Sequence, residues 1–445
     1  MDQRALSGAP ARSSETPSSV RAARQGSVPV VRVVRGWFVA GDGWLMLALI
    51  VLPVMIRLPE LLGLVHANAL GYTGSLGAPS PGFVGGLPTI DPNIGFTAQA
   101  LGTQAARQWF AGRLPWWNPY EGVGIPLAGE MQSAAFFPLT LLLIVPWGQT
   151  LFHLCLQIIA GVATYYLLRQ LRLSRTASMT GAVLFEFNGV FAWLANAVVN
   201  PIPFLPLLLL GVERAFVSAQ AHETLAGRRW PLRDVAEGWA WIAIALALAL
   251  VAGFPEVAYL DGLLAALWVV ARLVVLRGWG ARGRFALKLS VGGALGVAIA
   301  APPLVAFADY LRVADSGLHA HGAAALDLPA LSLAQFAHPY IYGNIFQYSA
   351  PAGVGVSWGN IGGYLGASVA FLALMGVFAR RELTLRVALV LWIVFTVGRS
   401  VGAEPFAALL NKIPLMDSVA AYRYANASWI MAAVVLSALA IDDWR

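Results

Sequence analysis

An all-α polytopic membrane protein of about ten transmembrane helices, with a long first outer loop carrying interfacial helices, is the fold class the sequence predicts. Three observations predict it. Hydrophobic residues make up 58% of the 445-residue chain and charged residues only 11%, against about 25% charged in an ordinary soluble domain. Mean hydropathy is +0.69. The apolar residues also gather in runs close to the roughly 20 residues a helical crossing needs, and cations gather in alternate loops between them.

Taken in order, residues 1–35 are rich in Ser, Ala, Pro and Arg, bury too little apolar surface to fold, and read as a disordered basic cytoplasmic tail. Residues 36–445 form the transmembrane domain. Its first apolar stretch, Trp44 to Val65, has the length of a full span and no small-residue cleavage site close behind it. It therefore reads as a first helix with its N-terminus inside rather than as a cleaved signal peptide. Further apolar stretches follow near 134–148, 150–168, 177–196, 201–217, 237–253, 256–276, 286–306, 361–379, 385–401 and 424–441.

Charge placement sets the parity. Arg169, Arg172 and Arg175 share one loop, Arg214, Arg228, Arg229 and Arg233 another, Arg272 to Lys288 a third, and Arg380, Arg381 and Arg386 a fourth. By the positive-inside rule these loops are cytoplasmic. An inside N-terminus then requires that one stretch does not cross. The choice falls on 134–148, which is short and holds Pro138 and Pro146. Both termini are cytoplasmic on this reading, and the outer loops are 66–133, 307–360 and 402–423. Lysine occurs only at positions 288 and 412, a bias that suggests a GC-rich bacterial genome and hence the bacterial cytoplasmic (inner) membrane. The net charge of +7 reflects topology rather than nucleic-acid binding. Cys155 is the single cysteine, so no intramolecular disulfide forms.

The first outer loop concentrates polar chemistry. Asp91 stands before Pro92 and a helical pattern from Ile94 to Phe110. It reads either as a cap for that helix or as a carboxylate base at the water–lipid boundary. Trp116, Trp117, Asn118 and Tyr120 lie in a turn bracketed by Pro115 and Pro119, and Glu121, Glu130 and Gln132 follow. Glu130 enters apolar surroundings and needs a partner or a raised pKa. Elsewhere, Glu256, Tyr259 and Asp261 sit near an outer hairpin, and Glu186 and Asn188 lie mid-helix. Arg312, Arg399 and Arg423 stand near outer helix ends, as snorkelling cations or as phosphate clamps. No HExxH, Walker loop, dinucleotide fingerprint or G-x-S-x-G elbow is present, and His319 and His321 make no recognisable metal box, so no metal ligand and no cofactor is assigned.

The run Pro115-Trp116-Trp117-Asn118-Pro119-Tyr120, with Gly124-Ile125-Pro126-Leu127-Ala128, Gln132 and Phe137-Pro138, resembles the first outer loop of YfhO-type bacterial membrane proteins, polytopic glycosyltransferases of the GT-C superfamily. Gly253-Phe254-Pro255-Glu256-Val257-Ala258-Tyr259, Gly362 to Gly366 and Tyr422-Arg423-Tyr424 extend the resemblance. It implies an inverting transfer of a sugar from a polyprenyl-phosphate-linked donor to an envelope glycan, lipid or protein on the outer face. Asp91 would be the base, Glu130 and Glu121 the secondary carboxylates, and Asn118, Gln132, Glu256, Tyr259, Arg312, Arg399 and Arg423 would contact substrate. The superfamily also admits a divalent cation, for which the ligand spacing here offers no support. Two departures stand out: Glu256 occupies a place where glutamine is more expected, and the chain is shorter than many YfhO-type proteins. The competing expectation is a transporter or flippase of a lipid-linked saccharide, which calls for intramembrane charges along a path.

Overall fold

Runs of Leu, Ala and Val become helices here because a backbone in lipid must satisfy every N–H and C=O within its own segment. The computed structural model describes residues 42–64, 94–193, 197–224, 237–315, 327–338, 341–342 and 364–444. The helices that matter below are α1 (Gly43–Ile56), α2 (Ala100–Phe110), α3 (Gly148–Gln170), α4 (Arg175–Glu186), α5 (Phe204–Thr224) and α6 (Trp239–Val251). They are followed by α7 (Pro255–Val275), α8 (Trp279–Tyr310), α9 (Ala367–Val377), α10 (Leu383–Ser400) and α11 (Asn426–Asp443). No strand forms among the described residues. Among the described residues six helices are long and apolar enough to cross a membrane (α3, α5, α7, α8, α10 and α11), and α1, α6 and α9 are shorter apolar helices. The chain is therefore a multi-pass helical membrane protein.

Burial separates core from periphery. The apolar window of α11 is 83% buried and that of α8 only 22%. So α11 forms the centre of the bundle, against α9, α4 and α10, while α8 offers most of its surface to lipid. Where α8 does touch its neighbours it uses small residues. Gly292 and Gly296 face the backbone of α6, and a β-carbon on them would stand 2.6 Å from Trp239 O and 2.9 Å from Ala243 O. Lipid is as apolar as leucine, so close backbone approach rather than hydrophobic burial holds such a pair together.

One end of the bundle is tied by ion pairs. Arg175 meets Asp42 at 2.6 Å, Lys288 meets Glu237 at 2.7 Å, and Arg381 meets Asp442 at 2.9 Å. Arg272, itself buried, bridges Glu213 and Glu382. Asp42, Arg175, Arg272, Arg381, Glu382 and Asp442 stand at or next to helix ends, and Glu213 and Lys288 reach them from within α5 and α8.

Two elements differ from expectation. The stretch 177–196 is not one helix: α4 stops at Glu186, and a short helix Gly189–Trp193 follows. Asn188 explains the break, because its Oδ1 accepts from Val190 N at 3.0 Å and its Nδ2 donates to Phe185 O, taking over backbone partners that a continuous helix would use. Within 361–379, regular helix begins only at Ala367, after Gly366 at φ +85°. The stretch 134–148 contains a seven-residue 3-10 helix, Pro138–Ile144. At about 2 Å rise per residue it is far too short for a hydrocarbon core of roughly 30 Å. The 1–35 tail, most of loop 307–360, and residues 65–93 lie outside the described residues.

Candidate functional site

The described part of the first outer loop starts at Ile94 with a π-helical turn, Ile94–Gln99, that runs into α2. Gly102, Ala105 and Ala106 bury one side of α2. Gly102 has no room to spare: a β-carbon there would press into Leu143 and stand 3.3 Å from Ser133 O. The aromatic cluster then fixes the turn. Trp109 Nε1 donates to Ala135 O at 2.9 Å, and the rings of Trp109 and Trp116 pack on Phe136 at 5.6 and 4.7 Å. Asn118 is buried and pairs its backbone with Ile125 in an isolated antiparallel bridge (2.8 and 2.9 Å). Its Oδ1 accepts from Tyr120 N at 3.1 Å, and its Nδ2 approaches Glu121 Oε2 at 3.4 Å. Asn118 thus shapes the loop. Glu121 is exposed beside it.

Glu130 is built differently. It is half-buried, its Oε1 accepts from Ser133 N at 2.8 Å, and its Oε2 accepts from Gln132 N at 3.0 Å. Met131 (φ +66°) and Ala134 (φ +49°) flank it in the left-handed region, unfavourable for residues that carry a β-carbon. Burial pushes its carboxyl up from 4.5 to about 7, against the pull of the Ser133 and Gln132 hydrogen bonds. Gln132 contributes that N–H from an exposed position.

The loop is seated on the α6–α7 hairpin. Gly253 (φ +94°) lies directly beneath it, and a β-carbon there would stand 2.7 Å from Met131 O and 2.9 Å from Ala134 Cβ. Next to Gly253, Phe254 stacks edge-on against Tyr424 at 4.8 Å. Glu256 Oε2 accepts from Ala420 N at 3.0 Å, and Tyr259 Oη donates to Pro414 O. The sequence places Glu256 only near a hairpin; the structure gives it a backbone partner from a segment 164 positions away. Arg423 lies 5.6 Å from the Tyr424 ring centroid. The 253–259 hairpin therefore touches both neighbours, meeting loop 126–137 through Gly253 and the 414–424 segment through Phe254, Glu256 and Tyr259.

Other candidates stand apart in character. Arg399 is buried and donates from Nε to Asn411 Oδ1 at 3.0 Å, a packed structural position rather than a snorkelling end. Arg312 is exposed, 3.8 Å from Asp309. Asp91 lies outside the described residues. Among the described residues no group of three or more His, Cys, Asp or Glu is placed to hold a metal ion, so no step is assigned to a cation.

Two buried carboxyls went unranked or under-ranked in the sequence. Among the described residues neither oxygen of Glu186 nor of Asp261 has a hydrogen-bond partner, and both residues are buried, Glu186 at the end of α4 and Asp261 within α7. The only sequence signal for them is an acidic letter inside a hydrophobic run. Set against known proteins, the chain matches no family model, no curated protein and no solved structure.

Proposed function

We propose that this protein is a multi-pass membrane glycosyltransferase of the bacterial inner membrane, moving a sugar from a polyprenyl-phosphate-linked donor to an envelope acceptor on the outer face. The observation that carries the reading is Glu130: a half-buried carboxyl with a pKa near 7, held by two backbone N–H groups where the outer loop meets the bundle. A group that titrates near neutrality suits proton transfer to or from a hydroxyl. In the reaction, a base takes the acceptor O–H proton, the oxygen bonds to the anomeric carbon, and the carbon–oxygen bond to the lipid phosphate breaks with inversion. Asp91 is the proposed base, with Glu130 as the second carboxyl and Arg423, on the 414–424 segment, as the cation for the departing phosphate. The proposed topology has ten crossings with both termini in the cytoplasm, supported by the four cationic loops. Reporters at Pro146 and Ser174 test it: the topology puts Pro146 outside and Ser174 in the cytoplasm, and the reverse pair of signals, or the same face for both, would rule it out.

The transfer test uses membranes containing the protein and a labelled polyprenyl-phosphate sugar. Asp91→Asn and Glu130→Gln should each lower label transfer by roughly 10²-fold or more. Full transfer by Asp91→Asn removes Asp91 from the role. A second reading, transport or flipping of a lipid-linked saccharide, draws on Glu186, at the end of α4, and Asp261, inside spanning helix α7, two buried carboxyls without a hydrogen-bond partner among the described residues. Movement of the labelled lipid across the bilayer with its sugar bond intact is the result that selects it.

A further inference from the structure

Helix α2 carries a feature that none of the roles above uses. Gln104, Arg107 and Gln108 follow one another at the three- and four-residue spacing that puts side chains on one face. Together with Arg113 and Tyr120 they line an open pocket of about 370 Å³. The turn after the helix brings the last two into place. Gly112 takes φ +69°, Arg113 N donates to Gln108 O at 2.9 Å, and Gln108 Nε2 donates to Trp117 O at 2.8 Å. Among the described residues neither Arg107 nor Arg113 has an ion-pair or hydrogen-bond partner for its guanidinium.

Two guanidinium forks with no partner among the described residues, the Gln104 amide and a phenol supply more donors than a carboxylate has oxygens to accept. A phosphate ester, with its added oxygens and charge, matches the set, and guanidinium binds it bidentately. Position says what the phosphate is attached to. Phe110, Leu114, Trp116, Trp117 and Val123, on the same helix end and turn, are all exposed large hydrophobic residues. Exposed Trp and Phe next to Arg mark the depth of lipid headgroups.

We propose that the Gln104, Arg107, Gln108, Arg113 and Tyr120 pocket is a seat for the phosphate ester of a membrane lipid. The seat does not depend on the transferase reading, because it concerns binding alone. The full-length protein in a phosphate-free maltoside detergent is tested for retention of labelled polyprenyl phosphate through gel filtration, with no sugar present. The wild type retains it, and Arg107→Gln with Arg113→Gln weakens retention roughly tenfold or more. Arg107→Lys with Arg113→Lys keeps the charge but loses the fork, and gives an intermediate loss. Arg277→Gln with Arg380→Gln, which removes the same charge elsewhere, leaves retention unchanged. Matched thermal stability of the variants excludes misfolding, and the lysine pair keeps the test open if the glutamine pair does not fold.

Four results overturn the proposal: no retention by the wild type, equal retention by the glutamine pair, equal loss in the control pair, or equal retention of the unphosphorylated polyprenol. Competition separates the sources: phosphatidylglycerol should displace the label and inorganic phosphate should not. Equal displacement by inorganic phosphate would show a free-anion site and end the lipid assignment. Glycosyl transfer is measured separately, so binding without transfer leaves the seat standing while the transferase reading falls.

Discussion

Gly161 of α3 leaves a notch that the Glu186 carboxyl fills: a β-carbon at position 161 would lie 2.7 Å from both Glu186 Cδ and Oε2. The neighbouring Gln157, one turn away on α3, donates to the Glu186 backbone carbonyl at 3.4 Å and leaves the carboxyl itself without a partner. Gly161→Ala is therefore expected to destabilise the protein by about 1–3 kcal/mol through overlap. Glu186→Leu is expected to raise the thermal midpoint in detergent, because it removes a buried polar group that has no partner. A fall in that midpoint, with transport or transfer retained, would mean the carboxyl has a stabilising contact after all.

Glu130 makes stability depend on pH. Its folded carboxyl titrates near 7 rather than 4.5, so the folded state holds its proton longer than the unfolded state does. The contribution is fully present below pH 4.5 and is lost as pH rises towards 7. Wild-type protein should thus lose stability across that window relative to Glu130→Gln, whose side chain does not titrate. Thermal unfolding of both proteins at several pH values measures it. Parallel curves would mean that Glu130 is solvated in solution.

Gly253 tests the seat beneath the loop. Gly253→Ala pushes a methyl group towards Met131 O and Ala134. Overlap should cost about 1–3 kcal/mol, with a further ~1–2 kcal/mol from the left-handed backbone. Limited proteolysis should then cut within 127–137 faster than in wild type, with cleavage inside the spanning helices unchanged. Equal cutting rates would place the loop's anchorage elsewhere.

Arg272 holds two carboxylates, and Trp268 Nε1 adds a hydrogen bond to Glu213. Arg272→Met strands Glu213, buried and charged, and should destabilise by about 3–5 kcal/mol. Arg272→Met combined with Glu213→Leu should recover most of that loss, because no uncompensated charge is left at the buried position. Unfolding midpoints of the two variants decide between them.

The bundle was legible because lipid imposes a single rule on composition. The apolar runs at 150–168, 256–276 and 385–401 became α3, α7 and α10 nearly in place, and the 94–110 pattern became the π-turn and α2. The break after Glu186 was not legible, because hydropathy does not register an asparagine side chain competing for backbone groups. Arg399 shows a different blind spot. Its position near a helix end suggested a snorkelling cation, but its partner Asn411 lies beyond the turn at Gly402, and spacing carries no information about that fold-back. Glu256 and Ala420 repeat the lesson over a longer range. In the pocket, Gln104, Arg107 and Gln108 could be read from helical period, whereas Arg113 and Tyr120 join only through the turn at Gly112.

The left-handed residues Met131 and Ala134 also bear on biosynthesis. Their backbone is unfavourable on its own and rests on Gly253, which leaves the ribosome more than a hundred residues later. Glu256 in turn waits for the amide of Ala420. The end of the bundle that holds the 253–259 hairpin is thus among the last parts of the molecule to be completed during membrane insertion. A nascent chain arrested before α7 would display an unseated, protease-sensitive loop.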